Sequence, residues 1–342
     1  MAAPKKVAIV GSGNWGSAIS KIIGLNAQGS SNFDTTVNMW VFEEMIDGEK
    51  LSEIINTRHE NVKYLPGEKL PENVVAITSV VESVKDADIL IFVLPHQFVK
   101  GVCEQIKGHV KPGAFACSLI KGVDATQGGI QLVSRIIYKT LGMDVSVLMG
   151  ANIASEVARG DFCESTLGSR NADNAQLLYE LFHRDHFRIS ITQDAATVEV
   201  CGAIKNIIAI AAGFCDGLGY GSSTKAAVMR IGMMEMWQFA TNYYKGVQLG
   251  TFLESCGFSD VIATCYGGRN RKVAEAFVTA NKTIEELEKE MLNGQKLQGP
   301  LASYEVHQLL KKEDKEKDYP LMTAVYRICY EGAPVTDFLK MI

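Results

Sequence analysis

The chain has 342 residues, 47% of them hydrophobic, and a formal net charge of −5. This length is enough for two domains that each bury a core. Because lysine and arginine are scattered along the chain, the charge pattern argues against binding to nucleic acid or to an anionic membrane, and we expect a small-molecule partner.

Cysteine usage and the first residues of the chain bear on the cellular compartment. The eight cysteines lie far apart, mostly in apolar settings, and form no C-x-x-C pair. The first residues lack the apolar region of a signal peptide. We therefore expect reduced thiols and a cytoplasmic protein. No spacing of His, Cys, Asp and Glu predicts a metal site.

The first predicted element is a short buried strand, Lys5–Val10, that runs directly into Gly11-Ser12-Gly13-Asn14-Trp15-Gly16 and a predicted helix at 18–25. A G-x-G-x-x-G pattern between a strand and a helix is typical of a dinucleotide-binding loop. The first glycine allows a tight turn, the second lets the backbone approach a pyrophosphate, and the third lets the helix pack on the strand. The free N–H groups of the helix N-terminus then bind the anion.

The second predicted strand, Val37–Phe42, follows a polar segment at 27–36 and ends in two carboxylates, Glu43 and Glu44. A carboxylate at this position accepts hydrogen bonds from the adenosine ribose and repels a 2′-phosphate, and no arginine stands beside it. NAD is therefore favoured over NADP. Phe42 is a candidate for stacking on the adenine, although an aromatic strand residue is about as often part of the core.

Further short apolar runs alternate with helical segments, which predicts an α/β domain with a Rossmann-type, doubly wound parallel sheet. These strands are predicted at Val74–Ile77, Ile89–Leu94, Phe115–Ile120, Ser146–Met149, Ser165–Gly168 and Phe187–Ile191. Ligands bind beyond the carboxyl ends of such strands. Lys121, at one strand exit, is thus a candidate contact for substrate or cofactor, whereas His96 at another is expected to be structural.

Long helical runs replace the short strands after about Thr192, which predicts an all-helical C-terminal domain. We therefore expect a nucleotide-binding domain at 1–192 and a substrate-binding and catalytic domain at 193–342. The first apolar run of the second domain, 198–213, contains Lys205 next to Asn206. Because charged and polar residues interrupt it, the run predicts a core helix rather than a membrane span.

Lys205 is the candidate acid or base of the chain. Burial disfavours the charged form of an ammonium group and can bring its pKa towards neutral pH, where it exchanges protons readily. In the alternative interpretation, Lys205 extends from a half-buried helix to solvent, which is the commoner arrangement for a lysine in an apolar helix. The helix pattern taken alone leaves both open.

A second candidate site lies in the segment 260–272. Gly267 and Gly268 lead into Arg269 and Asn270 at a predicted helix start. A guanidinium fork and the free N–H groups of a helix start suit recognition of a phosphate. In the alternative interpretation this is a solvated helix start, although basic residues there oppose the helix macrodipole unless an anion is bound.

From Lys6 to its C-terminus the chain closely resembles the eukaryotic cytosolic NAD-dependent glycerol-3-phosphate dehydrogenases. The most specific shared motifs are Gly11–Gly16, Pro95–Phe98, Ser118–Gly122, Met149–Glu156, Cys201–Asn206, Cys265–Arg271 and Asn293–Gly299. The resemblance implies a Rossmann-type N-terminal domain, a helical C-terminal domain and a homodimer. It also implies reversible hydride transfer between sn-glycerol 3-phosphate and NAD, giving dihydroxyacetone phosphate and NADH, and so a link from glycolysis to glycerolipid synthesis and cytosolic NADH reoxidation.

The resemblance also implies roles for individual residues. Lys205 is implied to be the proton donor and acceptor, and the other catalytic residues are Lys121, Asn206 and Asp260. The implied substrate contacts are Lys121, Thr264, Arg269 and Asn270. The implied cofactor contacts are Gly11, Ser12, Gly13, Asn14, Trp15, Gly16, Phe42, Phe98, Ala154, Arg269, Lys296 and Gln298.

Two other functions are compatible with parts of this pattern. A related dehydrogenase for a hydroxy acid would use the anion pocket for a carboxylate. A regulator would bind NAD without turnover, but the presence of both Lys121 and Lys205 argues against it.

Overall fold

The computed structural model describes residues 3–126, 129–280, 282–292 and 294–342. The chain forms two compact units. The first comprises Met1–Ile120 and Val133–Ala195, and the second comprises Lys121–Leu132 and Ala196–Ile342. The change of unit after Ala195 lies close to the expected boundary at 192/193, but the sequence pattern did not indicate that 121–132 groups with the second unit.

The strands are β1 Lys5–Val10, β2 Phe33–Trp40, β3 Met45–Ile46, β4 Glu49–Lys50, β5 Val74–Ile77, β6 Ile89–Phe92, β7 Phe115–Ser118, β8 Val123–Thr126, β9 Gly129–Leu132, β10 Val145–Met149, β11 Cys163–Gly168 and β12 Phe187–Thr192. Eight of them form one sheet in the order β12-β11-β10-β7-β6-β1-β2-β5. Read from β5 to β10, six neighbouring strands lie in the order β5-β2-β1-β6-β7-β10. Numbered by their order along the chain, these six strands have the doubly wound order 3-2-1-4-5-6 of a Rossmann-type sheet. The predicted fold of the first unit is thus confirmed.

The helices of the first unit are α1 Asn14–Gly29, α2 Leu51–Arg58, α3 Val80–Val84, α4 Val99–Ile106, α5 Val133–Leu141, α6 Ala154–Arg159 and α7 Ala172–Phe182. They form separate cores on the two faces of the sheet. Val7 and Ile9 of β1 pack with α1, α6 and α7, whereas Ala8 and Val10 pack with α3, α4 and α5. Because successive strand side chains point to opposite faces, a strand buried on both faces is a continuous apolar run.

Two details of the sheet differ from the sequence-based expectation. β11 pairs antiparallel with β10, and the helix between them, α6, is only about 9 Å long at 1.5 Å per residue, too short to return along a strand. β2 starts at Phe33 rather than Val37 and ends at Trp40 rather than Phe42. Its polar first half extends beyond β5, which pairs only from Val37 onwards, so exposed Thr35 and Thr36 are tolerated there.

The helices of the second unit are α8 Ala195–Gly217, α9 Ser222–Tyr243, α10 Leu249–Leu253, α11 Asp260–Gly267, α12 Arg269–Ala280, α13 Ile284–Leu292, α14 Gln298–Lys312, α15 Pro320–Tyr330 and α16 Phe338–Met341. The C-terminal part of the chain is therefore helical, as predicted. The β8–β9 hairpin joins this unit and contacts α14. By length and mean hydropathy (1.6) α8 is apolar enough for a membrane span, but the whole apolar window is buried within the protein, as in a core helix.

A buried carboxylate connects α9 to α15. Glu235 is 4% exposed, and its two oxygens accept hydrogen bonds from the backbone N–H groups of Leu321 at 2.7 Å and Met322 at 2.9 Å. Burial raises the pKa of Glu235 to about 7, against the opposing effect of these two hydrogen bonds. Since the first N–H groups of a helix have no partner within the helix, Glu235 satisfies the start of α15.

Glu235→Ala is expected to lower the free energy of unfolding by about 2–4 kcal/mol, because it leaves two buried N–H groups unpaired and a cavity beside them. Urea denaturation of purified protein measures this. Glu290→Ala is the control, since its exposed ion pair with Lys282 is worth about 0–1 kcal/mol. An equal loss of unfolding free energy in the two variants would contradict the role of Glu235 as the hydrogen-bond partner of the start of α15.

Candidate active site

Three glycines shape the loop between β1 and α1. Gly11 has φ +126°, which L side chains rarely adopt, and a Cβ there would lie 2.5 Å from the carbonyl oxygen of Val93. A Cβ on Gly16 would lie 2.5 Å from the carbonyl oxygen of Gly11, whereas a Cβ on Gly13 would meet no atom within 4 Å. The first and third glycines are thus required by packing, and the second faces open space that a ligand can approach.

Gly13 is the N-cap of α1 and supplies no side-chain hydrogen bond to the first turn. The free N–H groups and dipole of this turn suit a pyrophosphate. Two side chains of the loop have structural contacts instead: Asn14 Nδ2 donates to the carbonyl oxygen of Tyr64 at 2.6 Å, and Trp15 packs edge-on against Phe187. The loop therefore fits a dinucleotide through its backbone.

The carbonyl oxygen of Ser12 is held by a residue that the sequence reasoning missed. Asn61 is fully buried, and its Nδ2 donates at 2.9 Å both to this carbonyl oxygen and to Ser17 Oγ. Its Oδ1 accepts from the N–H of Tyr64 at 3.1 Å. A single asparagine after α2 carries no pattern that would reveal such a contact.

The two carboxylates after β2 have different partners. Glu43 accepts from the N–H and the hydroxyl of Ser52 and thereby caps the N-terminus of α2. Glu44 accepts from Tyr64 Oη at 2.7 Å and from Lys63 Nζ. The sequence pattern could not distinguish these two roles, because both partners lie further along the chain.

The other predicted cofactor contacts of the first unit differ in exposure. Phe42 is 71% exposed and Phe98 is 57% exposed, so both rings are available for stacking and neither belongs to the core. Ala154 is buried as the first residue of α6. The exposure of Phe42 argues against the alternative that it is a plain core residue.

In the second unit, one carboxylate joins two lysines. Asp260, at the start of α11, accepts from Lys205 Nζ at Oδ1 and from Lys121 Nζ at Oδ2, the latter at 3.0 Å. Lys205 Nζ also donates to Thr264 Oγ1 at 2.7 Å. Lys205 and Asp260 are 5% and 2% exposed. The lysine therefore does not extend to solvent; its ammonium group lies among polar groups inside the unit.

The surroundings of Lys205 shift its proton equilibrium. Burial lowers the pKa of Lys205 to about 7; Asp260 opposes this shift, and the positive charge of Lys121 adds to it. A lysine with such a pKa exchanges protons at neutral pH. When protonated, Lys205 donates to Asp260 and Thr264, and among the residues that the structure describes its third N–H has no acceptor, so that it is available to a substrate oxygen.

Asn206 and Asn270 form a second polar group beside this cluster. Asn270 Nδ2 donates to Asn206 Oδ1 at 3.1 Å, and Asn270 Oδ1 accepts from the N–H of Gly299 at 2.8 Å. A Cβ on Gly299 would lie 2.6 Å from the carbonyl oxygen of Asn206, so only glycine allows α14 to start this close to α8. Asn206 Nδ2 donates no hydrogen bond among the described residues and is available to a ligand.

The predicted phosphate contact, Arg269, is the exposed first residue of α12. Its Nη1 donates to Gln295 Oε1 at 2.8 Å. Lys296 is also exposed and pairs with Glu288 at 2.7 Å, and Gln298 is the first residue of α14. Arg269 and the loop from Gly294 onwards are thus in contact, whereas Asn293 of the same motif lies outside the described residues.

A partly buried ion-pair cluster that the sequence reasoning missed supports the start of α12. Asp216, near the end of α8, accepts from Lys225 Nζ at 2.7 Å and from Arg271 Nε. Lys225 is 6% exposed. Because Arg271 is only two residues after Arg269, this cluster fixes the backbone from which Arg269 extends.

The chain is similar to known proteins over its whole length. Two family models match: the N-terminal domain of NAD-dependent glycerol-3-phosphate dehydrogenase at residues 6–175 and the C-terminal domain at 194–340. A glycerol-3-phosphate dehydrogenase 1-like protein of Xenopus tropicalis is 60% identical over 343 residues, covering 100% of this chain and 97% of that protein.

Cytoplasmic glycerol-3-phosphate dehydrogenase [NAD(+)] of Bos taurus is also 60% identical, over 339 residues that cover 99% of this chain and 97% of that protein. The structure of glycerol-3-phosphate dehydrogenase from Saccharomyces cerevisiae superposes with a TM-score of 0.93 at 44% identity and covers 99% of both chains. With this likeness in sequence and fold, the chain belongs to the NAD-dependent glycerol-3-phosphate dehydrogenase family.

Proposed function

We propose that this protein is an NAD-dependent oxidoreductase that interconverts sn-glycerol 3-phosphate and dihydroxyacetone phosphate, with Lys205 as the acid and base. The observation that carries the proposal is the buried Lys205 ammonium group held by Asp260 and Thr264. A positioned group of near-neutral pKa is what proton transfer to and from a substrate oxygen requires.

The proton steps follow from this geometry. In the oxidation direction, neutral Lys205 accepts the proton of the secondary hydroxyl group. In the reduction direction, the lysine is protonated, polarises the ketone and gives its proton to the developing alkoxide. Lys121, on the other oxygen of Asp260, adds positive charge that stabilises this alkoxide. Asn206 offers its free amide N–H groups to the substrate.

NAD, when bound, supplies the hydride acceptor for the oxidation and, as NADH, the hydride donor for the reduction. The backbone of Gly11–Gly16 and the first turn of α1 would hold its pyrophosphate, and Phe42 and Phe98 offer exposed rings. We assign Arg269 to the substrate phosphate and to the cofactor, and Lys296 and Gln298 to the cofactor. Thr264 and Asn270 stay predicted substrate contacts, and they also hold the catalytic lysine and Asn206 in place.

A spectrophotometric assay tests the function. Adding dihydroxyacetone phosphate to the protein and NADH should give a steady loss of NADH absorbance. An enzyme for a hydroxy acid would instead respond to the corresponding keto acid, and a regulator that binds NAD without turnover would respond to neither. Loss of NADH with a keto acid but not with dihydroxyacetone phosphate would overturn the proposal.

The direction of the pKa shift gives a prediction for pH dependence. Since reduction needs protonated Lys205 and its pKa is about 7, kcat for reduction should fall as pH rises through 7, whereas kcat for oxidation should rise over the same range. Steady-state rates in both directions across this range measure the effect. If both directions respond alike, the titrating group is not the proton donor and acceptor.

We further assign the protein to the cytoplasm, to the link between glycolysis, glycerolipid synthesis and cytosolic NADH reoxidation, and to a homodimer. The location is supported by the bovine relative, which is named cytoplasmic. Exposed apolar side chains on and near α10 and α11, namely Leu249, Leu253, Phe258 and Ile262, offer a surface for a second copy. Sedimentation equilibrium tests the dimer, and a monomer at micromolar concentration would contradict it.

A further inference from the structure

The end of β2 carries a group of three side chains that are close in space although separated along the chain. Glu44 Oε1 accepts from Tyr64 Oη at 2.7 Å, and Glu44 Oε2 accepts from Lys63 Nζ. The side chains of Lys63 and Glu44 are 37% and 23% exposed. The group therefore faces solvent, where a ligand can reach it, and is not a buried core contact.

The backbone of Tyr64 connects this group to the dinucleotide loop. Its carbonyl oxygen accepts from Asn14 Nδ2 at 2.6 Å, and its N–H donates to Asn61 Oδ1 at 3.1 Å. Asn61 in turn donates to the carbonyl oxygen of Ser12. Tyr64 thus connects the loop proposed to receive the pyrophosphate, through its backbone, to the Glu44 carboxylate, through its hydroxyl group. The adenosine ribose is expected at this end of β2.

The protonation state of Glu44 depends on its two hydrogen-bond donors, Lys63 and Tyr64. Burial acts to raise its pKa, but the hydrogen bonds from Lys63 and Tyr64 outweigh burial and lower the pKa, so the carboxylate is charged at neutral pH. Each carboxylate oxygen has a further lone pair for a ribose hydroxyl. Glu43 differs in its partners: Ser52 holds it at the start of α2, whereas Tyr64 connects Glu44 to the dinucleotide loop.

We propose that Lys63 and Tyr64 determine cofactor specificity by holding the Glu44 carboxylate where it binds the ribose hydroxyls of NAD and repels the 2′-phosphate of NADP. In this arrangement the Lys63 ammonium group is neutralised by Glu44. Without the Glu44 charge, the same ammonium group becomes a partner for a 2′-phosphate. The proposal rests on the use of NAD by this protein and assigns Glu44, but not Glu43, to the discrimination.

The test uses binding of ADP-ribose and 2′-phospho-ADP-ribose to the full-length protein, measured by isothermal titration calorimetry. The wild type should prefer ADP-ribose. Glu44→Gln should tighten binding of the 2′-phosphorylated ligand by roughly 10- to 100-fold, because a repelling charge is removed and Lys63 is released to form a charge-assisted contact. The double variant Glu44→Gln/Lys63→Met should lose most of this gain.

Two further variants make the result specific. Glu43→Gln is the matched control and should leave the ratio of the two affinities unchanged. Tyr64→Phe removes only the hydroxyl group, keeps the backbone contacts with Asn14 and Asn61, and should shift the ratio towards the 2′-phosphorylated ligand by a few-fold. Binding of ADP-ribose by each variant also shows that its loop is folded.

The outcomes separate this proposal from the proposed function. If Glu44→Gln and Glu44→Gln/Lys63→Met gain the same affinity for 2′-phospho-ADP-ribose, Lys63 is excluded as the partner of the 2′-phosphate. If Glu43→Gln changes the ratio of the two affinities as much as Glu44→Gln does, both carboxylates contribute equally to the discrimination. Either result would overturn the inference while NADH oxidation by dihydroxyacetone phosphate in the wild type still stood, since ligand binding requires no turnover.

Discussion

Lys205→Ala is expected to lower kcat by roughly 10²- to 10⁴-fold, the usual effect of removing a positioned acid or base. NADH binding should stay largely intact, because the dinucleotide loop belongs to the other compact unit. Steady-state kinetics and a fluorescence titration with NADH measure the two quantities on the same sample. The pH dependence near 7 should disappear from the residual rate.

The matched control is Lys225→Met, which removes another buried lysine of the same unit, paired with Asp216 instead of Asp260. It should lower stability and leave the pH profile of kcat unchanged. If Lys205→Ala folds and keeps more than about a tenth of the wild-type rate, Lys205 is a structural ion-pair partner of Asp260 and another group transfers the proton.

Arg269→Ala is expected to raise the activation free energy for dihydroxyacetone phosphate by about 2–5 kcal/mol, the range for removing one partner of a desolvated charge pair. An arginine that binds the phosphate dianion matters only when the dianion is present. The poor activity with unphosphorylated dihydroxyacetone should therefore hardly change. Comparing kcat/KM for the two substrates isolates the phosphate contact, and added sulfate or phosphite should inhibit the wild type more than the variant.

Arg271→Ala is the control for this prediction, since the two arginines share the first turn of α12 but Arg271 is bound to Asp216 and Glu275. It should reduce stability and change the selectivity for the phosphorylated substrate far less than Arg269→Ala does, because the Arg269 guanidinium group is still present. NADH affinity has to be measured in the Arg269 variant as well, because that residue also contacts Gln295 of the predicted cofactor loop. Equal losses with both substrates would make Arg269 a structural or cofactor-binding residue.

Features that depend on neighbouring residues could be predicted from the sequence. The loop Gly11–Gly16 was recognisable because a strand, three glycines and a helix follow one another directly. The start of α13 is similar: Thr283 and Glu286, three residues apart in the sequence, form a capping box with reciprocal hydrogen bonds of 2.8 and 3.2 Å. The buried strands and α8 were recognisable because burial on all sides requires a continuous apolar run.

Features that depend on distant residues could not be predicted from their local pattern. The polar first half of β2 lies in the segment 27–36, which the sequence pattern placed before the strand. Its exposure follows from the strand order, since β2 extends beyond its neighbour β5 at this end. The grouping of the β8–β9 hairpin with the helical unit likewise depends on its contact with α14.

For the site, the sequence by itself determined the residue types: a glycine loop, acidic residues after β2, a lysine in an apolar helix and an arginine at a helix start. Only the tertiary structure decided that Asp260 holds both Lys121 and Lys205, and that Glu44 and not Glu43 meets Lys63 and Tyr64. The physical reason is that hydrogen bonds and desolvation act over a few ångströms in space, whereas these partners are separated by up to 139 residues along the chain.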